Sequence, residues 1–401
     1  MGSTTSMSSK PIYKSLLVVG IAVSLLMTAC GSASAKVVKI AISFPQGIDV
    51  GKGMLHAAQL AISEANGKAG PYSIDVLISN SSDPKGSPVS SDMEAANAKQ
   101  AIADPSVVAY IGGATSDQAR AVLALLNNAN MTQVSATATW PGLTKPGFGA
   151  GEPGIYYPTG RRHFFRLVPS DDVQGLVATR WVHQLGAKSV YIVSDGSAYG
   201  EGLAGIFEAN APDQSLQVLG HDRYDPAKIQ PAALNDLAAK IIAANPDAVY
   251  YPAAVGDTKL MVEVRTLNPK IMIVSGDALT SQPLGPEAQT LEGLYATNVA
   301  FDPGQLDTAS QFRTSFQTAY GKPASAYDML VYESTKVLLQ AVGQADAPTR
   351  DSVLTAMSKL GEVNGVLGKW HFDTNGDINL TQINGMQLVS GQWKSIAVIH
   401  S

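Results

Sequence analysis

The residues of this chain best suited to chemistry lie where apolar runs stop. Gly112-Gly113-Ala114-Thr115-Ser116 closes one such run and opens a helical pattern. Hydroxyls beside free backbone N–H groups at a helix start suit an anion, and a carboxylate in particular. Ser135-Ala136-Thr137-Ala138-Thr139 closes the next run and offers more hydroxyls. In the second half of the chain, Asp277 follows Ile273-Val274-Ser275-Gly276 and is placed to face a cation. Tyr199 is expected on a loop after another strand of that half. A carboxylate site on one side, with a carboxylate and an aromatic on the other, fits a zwitterion that carries a side chain. By spacing alone, Ser116 and Thr139 serve equally well as helix-capping and turn residues.

Other motifs point away from catalysis. Gly200-Glu201-Gly202-Leu203-Ala204-Gly205 has the G-x-G-x-x-G spacing, and Asp222 lies about 20 residues further on, as in a dinucleotide fingerprint. The first glycine of that fingerprint belongs in the tight turn at the strand end. Here Ser194 to Tyr199 intervene after Val193, so helix packing by small residues is the better reading. Asp373-Thr374-Asn375-Gly376-Asp377 begins like a calcium loop, but Ile378 stands where such a loop needs glycine. Asn375-Gly376 between Trp370-His371-Phe372 and Ile378-Asn379-Leu380 reads as a hairpin turn. The histidines, at 56, 163, 183, 221, 371 and 400, show no metal-ligand spacing, and neither G-x-S-x-G nor H-E-x-x-H occurs. No cofactor, metal or enzymatic activity is expected.

The first residues give an address. Lys10 and Lys14 precede the apolar run Leu16–Met27, which is followed by Thr28-Ala29-Cys30-Gly31. A basic flank, a short apolar core and small residues before a cut describe a secretory signal over residues 1–29. The run falls short of the roughly 20 residues that span a bilayer. Cys30, the sole cysteine, resembles the lipidated cysteine of a lipobox, with Met27 where leucine is usual. Ala33-Ser34-Ala35 offers a rival cut before Lys36. A bacterial lipoprotein carries three acyl chains, enough for stable attachment to a membrane, which one chain alone does not give. The expectation is an exported cell-envelope lipoprotein facing the periplasm or cell exterior. With one cysteine, no intrachain disulfide forms.

Residues 30–401 suffice for two ordinary domains. Apolar residues make up 45% and charged residues 15%, the balance of a chain that buries a core. A net charge of −5, with no run of Lys or Arg beyond two, argues against a nucleic-acid partner.

Strand and helix patterns alternate along most of the chain. Strands are expected at 37–42, 72–78, 107–111 and 131–135, with helices at 50–66, 90–103 and up to Leu126. The rhythm restarts after residue 167, with strands at 189–193, 216–219, 248–251 and 271–274 and helices at 173–185, 198–210, 231–244 and 257–267. Such βαβ repetition makes parallel sheets covered on both faces. Helices at 308–320, 326–342 and 351–360 follow, then strands near Trp370 and at 386–389. A tail of this kind completes both sheets if the chain recrosses between them, leaving a crevice at the strand ends. The Gly/Pro-rich stretch from Lys145 to Gly160 has no apolar period and exceeds the usual connection length.

These features together resemble the bacterial periplasmic-binding proteins of branched-chain amino-acid transporters, over nearly all of residues 36–397. The resemblance is carried by Val38–Ile42, by Ala65-Asn66-Gly67-Lys68-Ala69-Gly70, by Ile111–Ser116 and by Phe165-Arg166 with Pro169, Asp172 and Gln174-Gly175. Tyr199-Gly200-Glu201-Gly202-Leu203, Asp247–Tyr251 and Glu292-Gly293-Leu294 add to it. It implies an α/β fold of two doubly wound parallel-sheet lobes joined by a three-crossing hinge. Lobe 1 would comprise 36–167 with 301–365, and lobe 2 168–300 with 366–401. It implies that Ser116 and Thr139 bind an α-carboxylate, with main-chain help at Thr137, and that Asp277 pairs with the α-amino group while Tyr199 closes over the ligand. The expected partners are a small amino acid or related carboxylate, the membrane permease of an ABC transporter, and the membrane itself through the N-terminal lipid. A ligand-sensing receptor lobe, or a binder of non-amino-acid acids or amides, would use the same fold. Val50 and Ala254 fall where leucine-binding members have pocket aromatics, and the 145–161 loop is longer than usual. We therefore expect a side-chain pocket unlike that of a plain leucine binder, with this loop, or Trp140, helping to cover a different or larger ligand.

Overall fold

The computed structural model describes residues 36–253, 257–281 and 283–400. The signal segment, Cys30 and Ala254 lie outside them. The first unit runs β1 (Lys36–Phe44), α1 (Asp49–Glu64), β2 (Lys68–Ala69), β3 (Tyr72–Asn80), α2 (Ser91–Ala103), β4 (Val107–Ile111), α3 (Ser116–Asn128), β5 (Thr132–Ser135) and β6 (Phe164–Arg166). Its strands form one sheet in the order β2-β3-β1-β4-β5-β6, parallel apart from β2. The alternation of β1 decides its layers. Val38, Ile40 and Ile42 belong to the core that includes α1, whereas Ala41 packs with Ala98 and Ala101 of α2 and Val122 and Leu126 of α3.

The second unit runs α4 (Asp171–Gln184), β7 (Ser189–Ser194), α5 (Ala198–Asn210), β8 (Gln217–Arg223), α6 (Pro231–Ala243), β9 (Ala248–Tyr250), α7 (Lys259–Leu267), β10 (Met272–Ser275) and β11 (Tyr295–Asn298). Helices α8 (Ser310–Tyr320), α9 (Ala326–Gln344) and α10 (Arg350–Ser358) then return to the first sheet. The hairpin β12 (Val363–Gly365) and β13 (Gly368–Trp370) follows, before β14 (Ile383–Val389) and β15 (Gln392–Ile399) complete the second sheet. That sheet has the order β15-β14-β11-β10-β9-β7-β8, with β14 and β15 antiparallel. The sheets carry two α/β lobes. Trp370 of the hairpin donates to Glu333 Oε1 on α9 at 2.8 Å, so the hairpin is tied to lobe 1. The expected boundary at 365/366 falls inside its turn.

Strands β2, β6, β11, β12 and β15 lie outside the sequence reading. β6 and β11 are too short, at three and four residues, to show a period. β15 hides its alternation because Ile396 and Val398 occupy its exposed face.

The chain crosses between sheets after β6, after β11 and after β13. A buried ion pair locks the first and third crossings together. Arg166 Nε donates to Asp377 Oδ1 at 2.8 Å and Nη2 to Oδ2 at 3.1 Å. The main chain adds Arg166 N to Gly376 O at 3.0 Å and Ile378 N to Arg166 O at 3.2 Å. Residues 373–377 thus form the tight turn of a short antiparallel pairing, with Asp377 committed to the guanidinium. Arg166 is fully buried. Replacing Asp377 with Ala leaves that charge uncompensated, and urea unfolding should show a loss of about 3–5 kcal/mol. A loss below about 1 kcal/mol, the size of a surface pair, would contradict this assignment.

Candidate functional site

A cavity of about 680 Å³ lies between the lobes, at the carboxyl ends of both parallel sheets. Ser116, Thr137, Thr139, Tyr199 and Asp277 all line it, so residues as far apart as 116 and 277 meet in one place.

Lobe 1 contributes the hydroxyl wall. Ser116 is the first residue of α3, after the N-cap Thr115, whose side chain accepts from Gln118 N. Gly113 turns the chain into that helix with φ +74°, a conformation open to glycine at little cost. The turn is gripped from behind by Glu94, which accepts from Gly113 N at 2.7 Å, Ser43 Oγ at 2.6 Å and Tyr110 OH at 2.9 Å. Burial pushes the Glu94 carboxyl up, and these three donors oppose the shift. Thr137 donates its hydroxyl to Ala114 O at 2.6 Å, which leaves an oxygen lone pair and its neighbouring main chain at the cavity. Ser116 Oγ accepts from Trp140 N at 3.1 Å.

Lobe 2 contributes the charge. Tyr199, expected on the loop after β7, is instead the second residue of α5. Its hydroxyl donates to Asp277 Oδ1 at 2.9 Å. The Tyr327 hydroxyl, brought by α9 from lobe 1, lies 2.9 Å from Asp277 O and 3.2 Å from its Oδ2. Asp277 is therefore held by neutral groups, and among the described residues no Lys, Arg or His forms an ion pair with it. Burial pushes its carboxyl up, partly offset by Gln174, Tyr199 and Tyr327. Behind it stands Asp171, fully buried at the start of α4. Its main-chain N–H donates to Thr139 O at 2.9 Å. Neither carboxyl oxygen finds a well-formed hydrogen bond, although the Thr139 hydroxyl gives some relief. Burial, and then the charge of Asp277, push Asp171 well up.

The remaining lining divides by polarity. Ile48, Val50, Met54 and Val89 make an aliphatic wall on lobe 1, while Asp117, Asp195 and Asp257 add acid. Lys259 is the one basic residue among the described lining. Asp117 also bridges the lobes, accepting from Ala198 N at 3.1 Å. Contrary to the sequence-based expectation, neither Trp140 nor any residue of 145–161 lines the cavity. Glu94, Asp171 and Tyr327 were missed because their places depend on packing between distant elements. Val50 was singled out and does line the cavity.

Two parallel-sheet lobes facing each other across a cleft of aliphatic, hydroxyl and acidic side chains have the architecture of a two-lobe solute-binding protein. The chain belongs to the periplasmic binding protein family, whose profile matches residues 42–392. It is 26% identical, over 329 residues, to the Leu/Ile/Val-binding protein BraC3 of Rhizobium johnstonii, a match covering 80% of this chain and 83% of that protein. Its fold superposes on the leucine-binding protein LivK of Thermotoga maritima with a TM-score of 0.77, at 24% identity, covering 90% of this chain and 99% of the other. The isoleucine complex of LivJ from Streptococcus pneumoniae gives a TM-score of 0.75 at 21% identity, covering 91% and 99%.

Proposed function

We propose that this chain captures an α-amino acid between its lobes and delivers it to the membrane permease of an ABC transporter. The observation that carries this reading is Asp277: a buried carboxyl without a cationic partner among the described residues, in a cavity whose opposite wall carries hydroxyls. In this assignment Ser116, Thr139 and the main chain at Thr137 hold the ligand carboxylate. Asp277 takes the ammonium, and Tyr199 orients Asp277 and covers the ligand. The aliphatic side chain lies along Ile48, Val50, Met54 and Val89. Val50, smaller than the aromatic implied at its position, leaves that end wide. An acid lacking an amino group would add negative charge to a cavity already lined by Asp117, Asp195, Asp257 and Asp277, which disfavours it.

Binding makes and breaks no covalent bond. The ligand has more contacts in the closed form than in the open one, and this differential affinity drives hinge closure. We place the hinge at the three passages between the sheets, after β6, after β11 and after β13, so the hairpin β12–β13 stays with lobe 1. Among the described residues no helix is long and apolar enough to cross a membrane. We assign membrane attachment to a lipid on Cys30. Intact-mass analysis of the membrane fraction should then show a chain beginning at Cys30 and bearing acyl groups, whereas an unmodified chain beginning at Lys36 would reject it.

The ligand ammonium pairs with ionised Asp277, so binding displaces any proton held there. Affinity must then fall as pH drops through the ligand-free pKa of Asp277. Because burial raises that pKa, the fall begins above the ordinary carboxylate range. Asp277→Asn should weaken amino-acid binding by more than about tenfold and flatten its pH dependence, as titration calorimetry would show. Unchanged curves would remove Asp277 from the site.

A further inference from the structure

The cavity leaves two sequence features unused: the long 145–161 segment and the glycine pattern at 200–205. They meet at a single contact between the lobes. Trp140 of lobe 1 lays its indole against α5 of lobe 2 at Gly202. A Cβ built on Gly202 would stand 2.2 Å from Trp140 Cζ3 and 2.4 Å from Cε3, so no side chain fits there.

The indole is fixed from the lobe 1 side by the 145–161 segment. Trp140 Nε1 donates to Glu152 Oε2 at 2.8 Å, and Phe148 meets the indole edge-on with centroids 5.9 Å apart. Glu152 Oε1 accepts from Arg120 Nη2 at 3.0 Å and from Tyr156 OH at 2.6 Å. Gly142 and Gly149 press against the same carboxylate, where a Cβ would come within 1.9 and 2.4 Å of Oε2. The Trp140 main chain is fixed too: its N–H donates to Ser116 Oγ, and its carbonyl accepts from Arg166 Nη1 at 2.8 Å. The segment is therefore a socket that aims one large aromatic face at lobe 2.

We infer that Trp140 is a positioning residue for lobe closure, presented by the 145–161 segment to a glycine notch at Gly202. The inference rests on the hinge motion of the proposed function and adds a contact that exists only in the closed form. Burying an indole against α5 favours closure over opening. Through Ser116 the same residue is joined to the hydroxyl wall of the cavity, so lobe docking and the ligand's carboxylate end share a support. The glycine at 202 is needed for close approach by the other lobe. Within α5 itself, alanine is the better helix former.

The test is Gly202→Ala, which inserts one methyl into the notch while favouring the helix that carries it. Closure is read without ligand in a chain with Cys30→Ser, Asp117→Cys and Ala198→Cys, using the rate of cross-linking by a short bis-maleimide. The latch predicts cross-linking slower by about fivefold or more with Gly202→Ala, at an unchanged or higher melting temperature. In the chain with native Asp117 and Ala198, the dissociation constant for L-leucine should rise by a similar factor, mainly through faster release. Trp140→Phe, which keeps an aromatic but loses the bond to Glu152, should move both readouts the same way. An equal cross-linking rate in parent and Gly202→Ala chains would overturn the latch. If the cysteine-bearing parent cross-links but the chain with native Asp117 and Ala198 binds no amino acid, the proposed function fails while the latch is still decided by the cross-linking rates.

Discussion

The arrangement of the cleft depends on one fully buried guanidinium. Arg166 ends β6, where the chain first leaves lobe 1, and its Nε and Nη2 engage Asp377 on the last crossing. Its Nη1 reaches back to Ala138 O at 3.3 Å and Trp140 O at 2.8 Å, and its Nη2 to Thr144 Oγ1 at 2.6 Å. A lone buried charge is costly, and these partners offset that cost. The same bonds fix the backbone on either side of Thr139. The hinge and the hydroxyl wall are thus set by one side chain, which explains how a short, irregular strand end can hold binding-site geometry.

Across the cleft the physics is reversed. Lobe 1 presents hydroxyls, with Ser116 at the start of α3 and Thr137 and Thr139 after β5, and carries Asp117 beside them. Lobe 2 presents Asp277, supported by hydroxyls that stabilise negative charge without neutralising it. Asp171 lies behind, and its proximity makes a second ionised carboxyl more expensive. Among the described lining residues Lys259 is the one cation, and it forms no ion pair with Asp277. In the proposed function, a ligand with an ammonium at one end and a carboxylate at the other would satisfy both walls, and closure would remove the water that otherwise screens them.

Much of this was legible in the sequence, for local reasons. The β-branched and apolar runs of β1, β4 and β7 announce parallel strands, and the residues just past such runs must reach the ligand crevice. This is why Ser116, Thr137, Thr139, Tyr199 and Asp277 could be named before they were seen together. The rest is non-local. Glu94 sits mid-helix in α2 and shows its role only when β4 delivers Gly113 to it. Tyr327 reads as an ordinary helical aromatic until α9 packs across the cleft. The composition of 145–161 marks an irregular segment, yet nothing in it foretells that Glu152 reaches back to Trp140 and away from the cavity. The glycines at 200–205 read as small residues that pack their helix on the sheet, but Gly202 is pressed by Trp140 of the other lobe and Gly205 meets open space, and sequence spacing carries no trace of that partner.

The central claim is that a buried carboxylate selects an ammonium. Calorimetric titration of the mature chain with aliphatic amino acids and their deaminated counterparts, such as L-leucine against isocaproate, tests it most directly. The account predicts measurable binding of an amino acid and binding weaker by about a hundredfold or more for the same skeleton without its amino group. Equal or tighter binding of the deaminated acid would contradict it.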